Sequence, residues 1–278
     1  MLSKGKVNNM ENIKENESQM FGSYSFTEKE IWAHKGERKI YGKAFIPEAK
    51  GPFPLVIYLH ELLHNCSTGE YYAKVLATHG IAAYIFDFCG GGDDTKSDGK
   101  LTEMSVMTEA DDIEAVYAEA KTWDFVIPDK IVLLGSSQGA FAGIVSATRH
   151  PENYAGLIAM YPPLLIHDEV RALFNYDKSS VPETYCVRGW YTAGGIYATD
   201  MWDYDVYAEM KKYKKPVLLM HGSDDTTIDK QWSELAQRSF PNAKLYIIEG
   251  GRHIFHGERR TEAMKHIMDY LKYIGILK

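Results

Sequence analysis

The strongest constraint on the fold is a regular alternation of short apolar runs with stretches of helical periodicity. The apolar runs are continuous, which is typical of parallel strands buried on both faces, and they lie at residues 54–59, 81–86, 130–134, 156–160, 216–220 and 245–248. Apolar residues recur with the 3.6-residue period of a helix at residues 70–78, 109–120, 140–148, 231–239 and 262–273. This alternation predicts an α/β fold whose mostly parallel central sheet has helices on both faces.

Three segments depart from the alternation. Residues 1–22 are polar and predict a mobile leader, whereas residues 28–46 alternate apolar and polar side chains, which predicts a β-hairpin. Residues 163–215 interrupt a core formed by residues 23–162 and 216–278, and they are rich in aromatics. Because parallel sheets bind ligands at the carboxyl ends of their strands, we expect an inserted cap here. A well-packed excursion without a function is the alternative interpretation.

A Gly-x-Ser-x-Gly motif places Gly135 and Gly139 on either side of Ser137, between an apolar run and a helical pattern. A nucleophile on a sharp strand-to-helix turn needs small residues two positions away on both sides, because larger ones would make the strand and the helix collide. Ser137 is therefore a candidate nucleophile. A serine that caps a helix in an ordinary turn is the alternative, and an acid and a histidine further along the chain would decide between them.

The last two apolar runs are each followed by a candidate partner for Ser137. Asp224 and Asp225 follow the first of these runs, and we expect Asp225 to face the site while Asp224 caps the turn. His253 follows the final run after two glycines, with His256 as its competitor. The order Ser137, Asp225, His253 is that of an α/β-hydrolase triad. It predicts that Ser137 attacks an acyl carbon, His253 transfers the proton and Asp225 orients the imidazole.

Two backbone N–H groups are candidates for an oxyanion hole. That of Gln138 follows the nucleophile at the start of a helix, where N–H groups lack intrahelical acceptors and the helix dipole favours negative charge. The second donor should come from the loop after residues 54–59, which places it at Leu62. One such donor is worth about 3 kcal/mol at the transition state.

Charge and cysteine content exclude several classes of function. The net charge of −7 argues against nucleic acid and anionic membranes as partners, since both require a basic face. The three cysteines, Cys66, Cys89 and Cys186, lie far apart and show neither metal-ligand nor disulfide spacing, so we expect reduced, structurally inert thiols. We also expect no metal and no cofactor. Residues 1–20 lack the apolar segment of a secretory signal, and no apolar run is long enough to span a membrane. These features predict a cytoplasmic protein.

Several motifs are shared with one group of enzymes: Phe86-Asp87-Phe88, Lys96-Ser97-Asp98-Gly99-Lys100, Gly135-Ser136-Ser137-Gln138-Gly139, His221-Gly222-Ser223-Asp224-Asp225-Thr226 and Glu249-Gly250-Gly251-Arg252-His253. Together they resemble the α/β-hydrolase superfamily and, within it, bacterial feruloyl (cinnamoyl) esterases. The resemblance implies that the cap holds a phenolic acyl group. Aromatic residues of the cap offer stacking faces and hydrogen-bond donors for a phenol, and the candidates are Trp190, Tyr191, Tyr197 and Trp202.

The oxyanion loop departs from this resemblance. Feruloyl esterases usually carry His-Gly-Phe there, whereas this chain has His60-Glu61-Leu62, which looks more like dienelactone hydrolases. In those enzymes the glutamate pairs with a cysteine nucleophile, but the nucleophile position here is Ser137, so the cysteine chemistry does not carry over. Glu61 therefore has two interpretations: it hydrogen-bonds near Ser137 as a modulator, or it points away and is structural.

These observations predict a serine carboxylic-ester hydrolase, with feruloyl or related hydroxycinnamoyl esters as the expected substrates. Its partner would then be a small-molecule ester, an aromatic acyl ester of a plant-derived sugar. A broad esterase for short acyl groups, such as acetylated sugars or monoacylglycerols, is the alternative. A non-catalytic binding protein on the same fold is a third hypothesis, and it predicts a damaged triad.

Overall fold

The predicted α/β fold with a mostly parallel sheet is confirmed in the computed structural model, which describes residues 19–92 and 94–278. The strands of the described chain are β1 (Phe26–Lys35), β2 (Arg38–Pro47), β3 (Phe53–Leu59), β4 (Ala82–Phe86), β5 (Val126–Ser136), β6 (Gly156–Met160), β7 (Thr184–Val187), β8 (Tyr191–Gly194), β9 (Val217–Gly222) and β10 (Ala243–Ile248). The main sheet has the order β1-β2-β4-β3-β5-β6-β9-β10, and β7 pairs with β8. From β4 to β10 all neighbours in the main sheet are parallel.

Helices connect most of these strands. They are α1 (Glu70–Thr78), α2 (Val106–Ala120), α3 (Gln138–Arg149), α4 (Ile166–Leu173), α5 (Ile196–Thr199), α6 (Val206–Met210), α7 (Gln231–Ser239) and α8 (Gly257–Tyr273). α1 and α7 have the predicted bounds, but α2 starts earlier because Ser105 and Thr108 cap it with reciprocal hydrogen bonds. α8 also starts earlier, since its polar first turn carries no apolar period. Within the described part of the chain, none of these helices is long and apolar enough to cross a membrane.

Alternate side chains of β3 enter two different hydrophobic clusters. Leu55 and Ile57 belong to the cluster beneath α2 and α3, whereas Val56 and Tyr58 belong to the cluster beneath α1 and α8. Each apolar side chain of this size contributes about 1.5–3 kcal/mol when it is fully buried. The continuous apolar runs therefore reflect a sheet that is covered on both faces, and this packing fixes the strand ends that carry the candidate site.

The predicted hairpin is confirmed as β1 and β2, which pair from Lys35 with Arg38 to Phe26 with Pro47. β2 pairs antiparallel with β4, so the hairpin forms one edge of the main sheet. The predicted leader falls largely on residues 1–18, which lie outside the described residues. Near its end, the Gly22 N–H donates to Thr78 Oγ1 at 2.8 Å, so the chain is joined to α1 before β1 begins.

Residues 163–215 run from β6 to β9 and contain α4, α5, α6 and the small sheet of β7 and β8. These elements are short, which explains why the sequence shows no clear alternation here. Leu164, Ala193 and Met210 are buried in the cluster beneath α2 and α3. The segment therefore packs onto the core, and its aromatics are divided between that packing and the cavity described next.

Candidate active site

Ser137 occupies a strained turn between β5 and α3. Its backbone φ is 49° and its ψ is −122°, a conformation that costs on the order of 1–3 kcal/mol for a residue other than glycine. Both flanking glycines are required sterically. A Cβ on Gly135 would lie 2.5 Å from Ala140 Cα, and a Cβ on Gly139 would lie 2.4 Å from the His60 carbonyl oxygen. The Gly-x-Ser-x-Gly spacing thus follows from the close approach of α3 to β5 and to the loop after β3.

Three side chains that follow three different strands form one hydrogen-bonded chain. Ser137 Oγ lies 2.9 Å from His253 Nε2, and His253 Nδ1 lies 2.8 Å from Asp225 Oδ2. Because a carboxylate can only accept, Nδ1 carries the imidazole proton and Nε2 is left to accept from the serine hydroxyl. The structure thus brings together the three residues that the sequence nominated for a triad.

The alternatives for the acid and the base lie outside this chain of hydrogen bonds. Asp224 is exposed, and its Oδ1 accepts from Ser223 Oγ at 2.8 Å. His256 is exposed and precedes α8 as its N-cap residue. Neither side chain is positioned to replace its neighbour.

Asp225 is held by donors on both carboxylate oxygens. Oδ1 accepts from the N–H groups of Thr227 at 2.9 Å and Ile228 at 3.0 Å, and its side chain is fully buried. Burial alone would raise the pKa of Asp225, but hydrogen bonds from His221, His253 and the Ile228 N–H hold this pKa below its ordinary value. The carboxylate is therefore ionised wherever the protein is folded near neutral pH.

His221 was given no role by the sequence, yet it lies directly against Asp225. Its Nε2 is 3.2 Å from Asp225 Oδ2 and 2.9 Å from the Ile228 carbonyl oxygen. Its Nδ1 is 2.7 Å from Ser233 Oγ. Two acceptors at Nε2 place the proton there, so the Ser233 hydroxyl donates to Nδ1. The available signal was a histidine at the end of β9, immediately before the glycine turn that leads to the acid.

Ser137 lines a cavity of about 370 Å³ that we call the active cleft. Three of the four predicted pocket aromatics, Trp190, Tyr191 and Tyr197, line it together with His253. Further apolar walls come from the same segment of the chain and comprise Pro163, Leu165, Ile166 and Val187. The active cleft is thus bounded by catalytic candidates on one side and by the aromatic segment on the other.

The prediction for the fourth aromatic, Trp202, is wrong, because Trp202 does not line the active cleft. It is 5% exposed, and its carbonyl oxygen lies 3.1 Å from His167 Nε2. It follows α5 in a turn that packs against the body of the protein. Its aromatic character therefore serves packing, which composition alone could not distinguish from a role in the cleft.

Both predicted oxyanion donors, Leu62 and Gln138, belong to residues that line the active cleft. Among the hydrogen bonds of the described residues, neither backbone N–H has an acceptor. His60 holds the peptide that carries the Leu62 N–H, because its Nδ1 lies 2.8 Å from the Glu61 carbonyl oxygen while its Nε2 accepts from the Phe88 N–H at 3.0 Å. Burial lowers the pKa of His60, so the imidazole is neutral and Nδ1–H donates to that carbonyl.

The side chain of Gln138 joins the active cleft to a buried acid. The Tyr197 hydroxyl donates to Gln138 Oε1 at 2.7 Å, and Gln138 Nε2 donates to Glu109 Oε1 at 3.0 Å. Burial raises the pKa of Glu109 to about 8, although the hydrogen bond from Gln138 opposes the shift. No role was predicted for Glu109 from the sequence, although a charge four positions before Ile113 on the apolar face of α2 was a signal of one.

Glu61 makes its hydrogen bonds away from the nucleophile. It is 4% exposed, and its Oε2 accepts from Thr68 Oγ1 at 2.9 Å. Its Oε1 lies 3.4 Å from the Tyr58 hydroxyl and 3.5 Å from the Tyr161 hydroxyl. Both hydroxyls lie closer to Ser136 Oγ, at 3.1 and 3.2 Å. In the described chain no hydrogen bond joins Glu61 to the nucleophile, so the hydrogen bonds do not support its interpretation as a modulator of Ser137.

Comparisons with known proteins agree with this fold. The family model of the prolyl oligopeptidase family matches residues 68–275. Est1E from Butyrivibrio proteoclasticus with bound ferulic acid has a TM-score of 0.78 at 26% identity, covering 87% of this chain and 99% of that chain. Est816, an N-acyl homoserine lactone degrading enzyme, has a TM-score of 0.65 at 18% identity, covering 86% of this chain and 100% of its own, and shows the fold alone. A sequence comparison with curated proteins gives no match.

Proposed function

The chain belongs to the prolyl oligopeptidase family of α/β-hydrolases, and from this premise we propose that it is a serine carboxylic-ester hydrolase that works through an acyl-enzyme. The observation that carries the proposal is the hydrogen-bonded chain from Ser137 Oγ through His253 to Asp225, with distances of 2.9 and 2.8 Å. A serine hydroxyl is a weak nucleophile unless an adjacent base removes its proton. This arrangement supplies the base and an acid that orients it.

In the proposed reaction, Ser137 Oγ forms a bond to the ester carbonyl carbon while its proton moves to His253 Nε2. The negative charge that develops on the carbonyl oxygen is stabilised by the Leu62 and Gln138 N–H groups. Asp225 stabilises the imidazolium. His253 then protonates the leaving alcohol oxygen, and the bond from the acyl carbon to that oxygen breaks. A water molecule activated by His253 hydrolyses the acyl-enzyme and releases the carboxylic acid.

For the acyl group we propose an aromatic acid of the feruloyl or hydroxycinnamoyl type, carried on a plant-derived sugar. Support comes from Trp190, Tyr191 and Tyr197, which line the active cleft beside Ser137 and offer faces on which a planar ring can stack. Est1E, whose structure holds ferulic acid, provides further support as a relative at 26% identity. No cofactor takes part in this chemistry. A broad esterase for short acyl groups remains the alternative at the same site.

Hydrolysis of two esters tests the reaction class. We expect the purified protein to cleave both methyl ferulate and p-nitrophenyl acetate, and we expect Ser137→Ala to lower kcat by about 10⁴–10⁶-fold, as for other serine hydrolases. The exposed Ser179 provides a matched control, since Ser179→Ala should retain the wild-type rate. Equal rates for Ser137→Ala and wild-type protein on both esters would contradict the proposal.

A second pair of variants tests the aromatic acyl group. Tyr191 lines the active cleft, whereas Tyr176 lies in the same segment and is 65% exposed. We expect Tyr191→Ala to lower kcat/KM for methyl ferulate about tenfold relative to p-nitrophenyl acetate, because a stacking partner and buried apolar area are lost. Tyr176→Ala should leave this ratio unchanged. The same ratio in all three proteins would favour the broad short-acyl esterase instead.

Peptide hydrolysis is a second candidate, favoured by the family match itself. Recognition of a charged peptide terminus would require charged groups in the active cleft, and its described lining includes Glu61, Glu169 and Arg188. Glu169 and Arg188 pair with each other, which reduces the attraction of either charge for a peptide terminus. Assays with aminoacyl-proline p-nitroanilides decide between the two: a higher kcat/KM for the anilide than for methyl ferulate would replace the esterase proposal.

A further inference from the structure

A second cavity adjoins the active cleft and is of similar size. Its volume is about 370 Å³, and it shares Glu61 and Ile254 with the active cleft as wall residues. Its other walls include Ser67 and Thr68, which precede α1, and Arg260 from the first turns of α8. We call it the side cavity. The proposed reaction assigns no part of the ester to it.

The Glu61 carboxylate has unused hydrogen-bonding capacity at the wall of the side cavity. Only the bond from Thr68 Oγ1, at 2.9 Å, is short. The Tyr58 and Tyr161 hydroxyls lie 3.4 and 3.5 Å from Oε1 and have a nearer acceptor in Ser136 Oγ. A buried carboxylate is costly unless donors satisfy its oxygens. Hydroxyl groups of a ligand would supply the donors that the protein leaves out.

The charges around the side cavity indicate a neutral ligand. Among the described residues, its charged lining consists of the acids Glu61 and Glu70 and the bases Lys74 and Arg260, and the formal charges of these four residues cancel. Lys74 Nζ also lies 3.1 Å from Glu70 Oε2. This ion pair reduces the electrostatic potential that either charge produces in the side cavity. An ionic ligand of either sign gains little from such a balanced lining, whereas a neutral molecule rich in hydroxyl groups finds both donors and acceptors.

The side cavity also borders the candidate base. Ile254, which lines both cavities, directly follows His253. Tyr161 lines the side cavity, and its ring centroid lies 4.9 Å from that of His253. In the proposed reaction the imidazole protonates the leaving alcohol, so this alcohol must lie on the His253 side of the ester. Glu61 and Ile254, which line both cavities, are the wall that the remainder of such an alcohol would meet.

We propose that the side cavity binds the alcohol half of the ester, a neutral and hydroxyl-rich alcohol such as a sugar, with its hydroxyl groups donating to Glu61. The acyl half lies at the same time in the active cleft. This inference rests on the proposed esterase function and assigns the two halves of the substrate to two cavities. During acylation the Ser137 Oγ–carbon bond forms, the carbon–alkoxy oxygen bond breaks, and the Ser137 proton passes through His253 to that oxygen.

Two esters of one acid test the inference: methyl ferulate, and ferulate joined to the primary hydroxyl of methyl arabinofuranoside. We expect a kcat/KM at least about tenfold higher for the sugar ester, the difference that one hydrogen bond to a charged group can provide. Glu61→Gln should lower this sugar-to-methyl ratio about tenfold, and Thr68→Val, which removes a donor to Glu61, should lower it about threefold. The ratio cancels any effect of either change on the chemical step.

Thr122→Val is the matched control, because Thr122 is exposed and its hydroxyl donates to the Glu119 carbonyl oxygen at the end of α2. The sugar-to-methyl ratio of this variant should equal that of the wild type. A ratio near one in the wild type, or an unchanged ratio in both Glu61→Gln and Thr68→Val, overturns the inference while leaving the esterase function intact. Calorimetric binding to the Ser137→Ala protein separates the two proposals. One outcome would support the binding site and contradict the esterase function. In it, the wild-type protein hydrolyses neither ester, but the sugar ester binds more tightly than methyl ferulate, and this difference is lost in the Glu61→Gln variant.

Discussion

His60 controls the orientation of a single peptide. It donates to the carbonyl oxygen of Glu61, and that carbonyl belongs to the same peptide unit as the Leu62 N–H. A hydrogen bond to the carbonyl also polarises the peptide, which strengthens the N–H as a donor. The imidazole is anchored in turn by the Phe88 N–H. The precision of the proposed oxyanion hole therefore depends on a residue that does not contact the substrate.

Two substitutions at this position separate donation from packing. His60→Leu removes the donor, and we expect kcat for p-nitrophenyl acetate to fall about 10- to 100-fold with a smaller change in KM, less than the full loss of an oxyanion donor. His60→Asn keeps an N–H group near the position of Nδ1 and should retain most of the activity. Thermal unfolding of both variants reports their stability. Wild-type kcat in His60→Leu would show that the Leu62 peptide needs no such support.

At the scale of elements, the close contact between α3 and the loop after β3 depends on Gly139. A Cβ there would meet the His60 carbonyl oxygen at 2.4 Å, and backbone cannot move aside cheaply. Gly143, one turn later in α3, would place its Cβ 2.8 Å from Leu59 Cδ1, which is the end of a flexible side chain. We expect Gly139→Ala to lower the free energy of unfolding by about 1–3 kcal/mol and to reduce kcat. Gly143→Ala should be near neutral in urea unfolding, and equal losses in the two variants would contradict this account.

The elements that carry the site were predictable because each has a local signal. Burial on both faces makes the strands continuous apolar runs, and the glycines around Ser137 mark a turn where α3 comes too close to β5 and to the loop after β3 for a Cβ to fit. Tyr161 had no such signal, since its contact with His253 joins residues that follow two different strands, β6 and β10. Trp190 lies in the turn between β7 and β8 and is exposed, whereas Trp202 lies between α5 and α6 and is buried. Such differences depend on tertiary packing, which residue type does not reveal.

At the scale of the whole molecule, Glu109 links stability to pH. Its pKa is raised from 4.5 to about 8 in the folded protein. At a pH below 4.5 the carboxyl is neutral in both the folded and the unfolded protein. Between pH 4.5 and about 8 it ionises only in the unfolded chain, so the free energy of unfolding falls as the pH rises through this window. The loss is on the order of 3 kcal/mol at pH 7.

Glu109→Gln imitates the neutral acid and can still accept the hydrogen bond from Gln138. We expect the variant to be more stable than wild type, with a difference that grows between pH 5 and pH 8 in urea unfolding. Glu152→Gln is the control, because Glu152 has a side chain that is 71% exposed and should show no such growth. A difference independent of pH would mean that Glu109 is ionised in the folded protein.

The described part of the molecule combines a sheet that brings three strand ends together with a segment between β6 and β9 that bounds the active cleft. The central claim is that this arrangement makes Ser137 a nucleophile, and covalent labelling with a fluorophosphonate tests it most directly. Mass spectrometry of the intact protein should show a single adduct, mapped to Ser137 by peptide analysis, absent from Ser137→Ala and formed much more slowly in His253→Ala. An intact wild-type protein that forms no adduct, or forms it equally in Ser137→Ala, would contradict the claim and favour a non-catalytic binding protein on this fold.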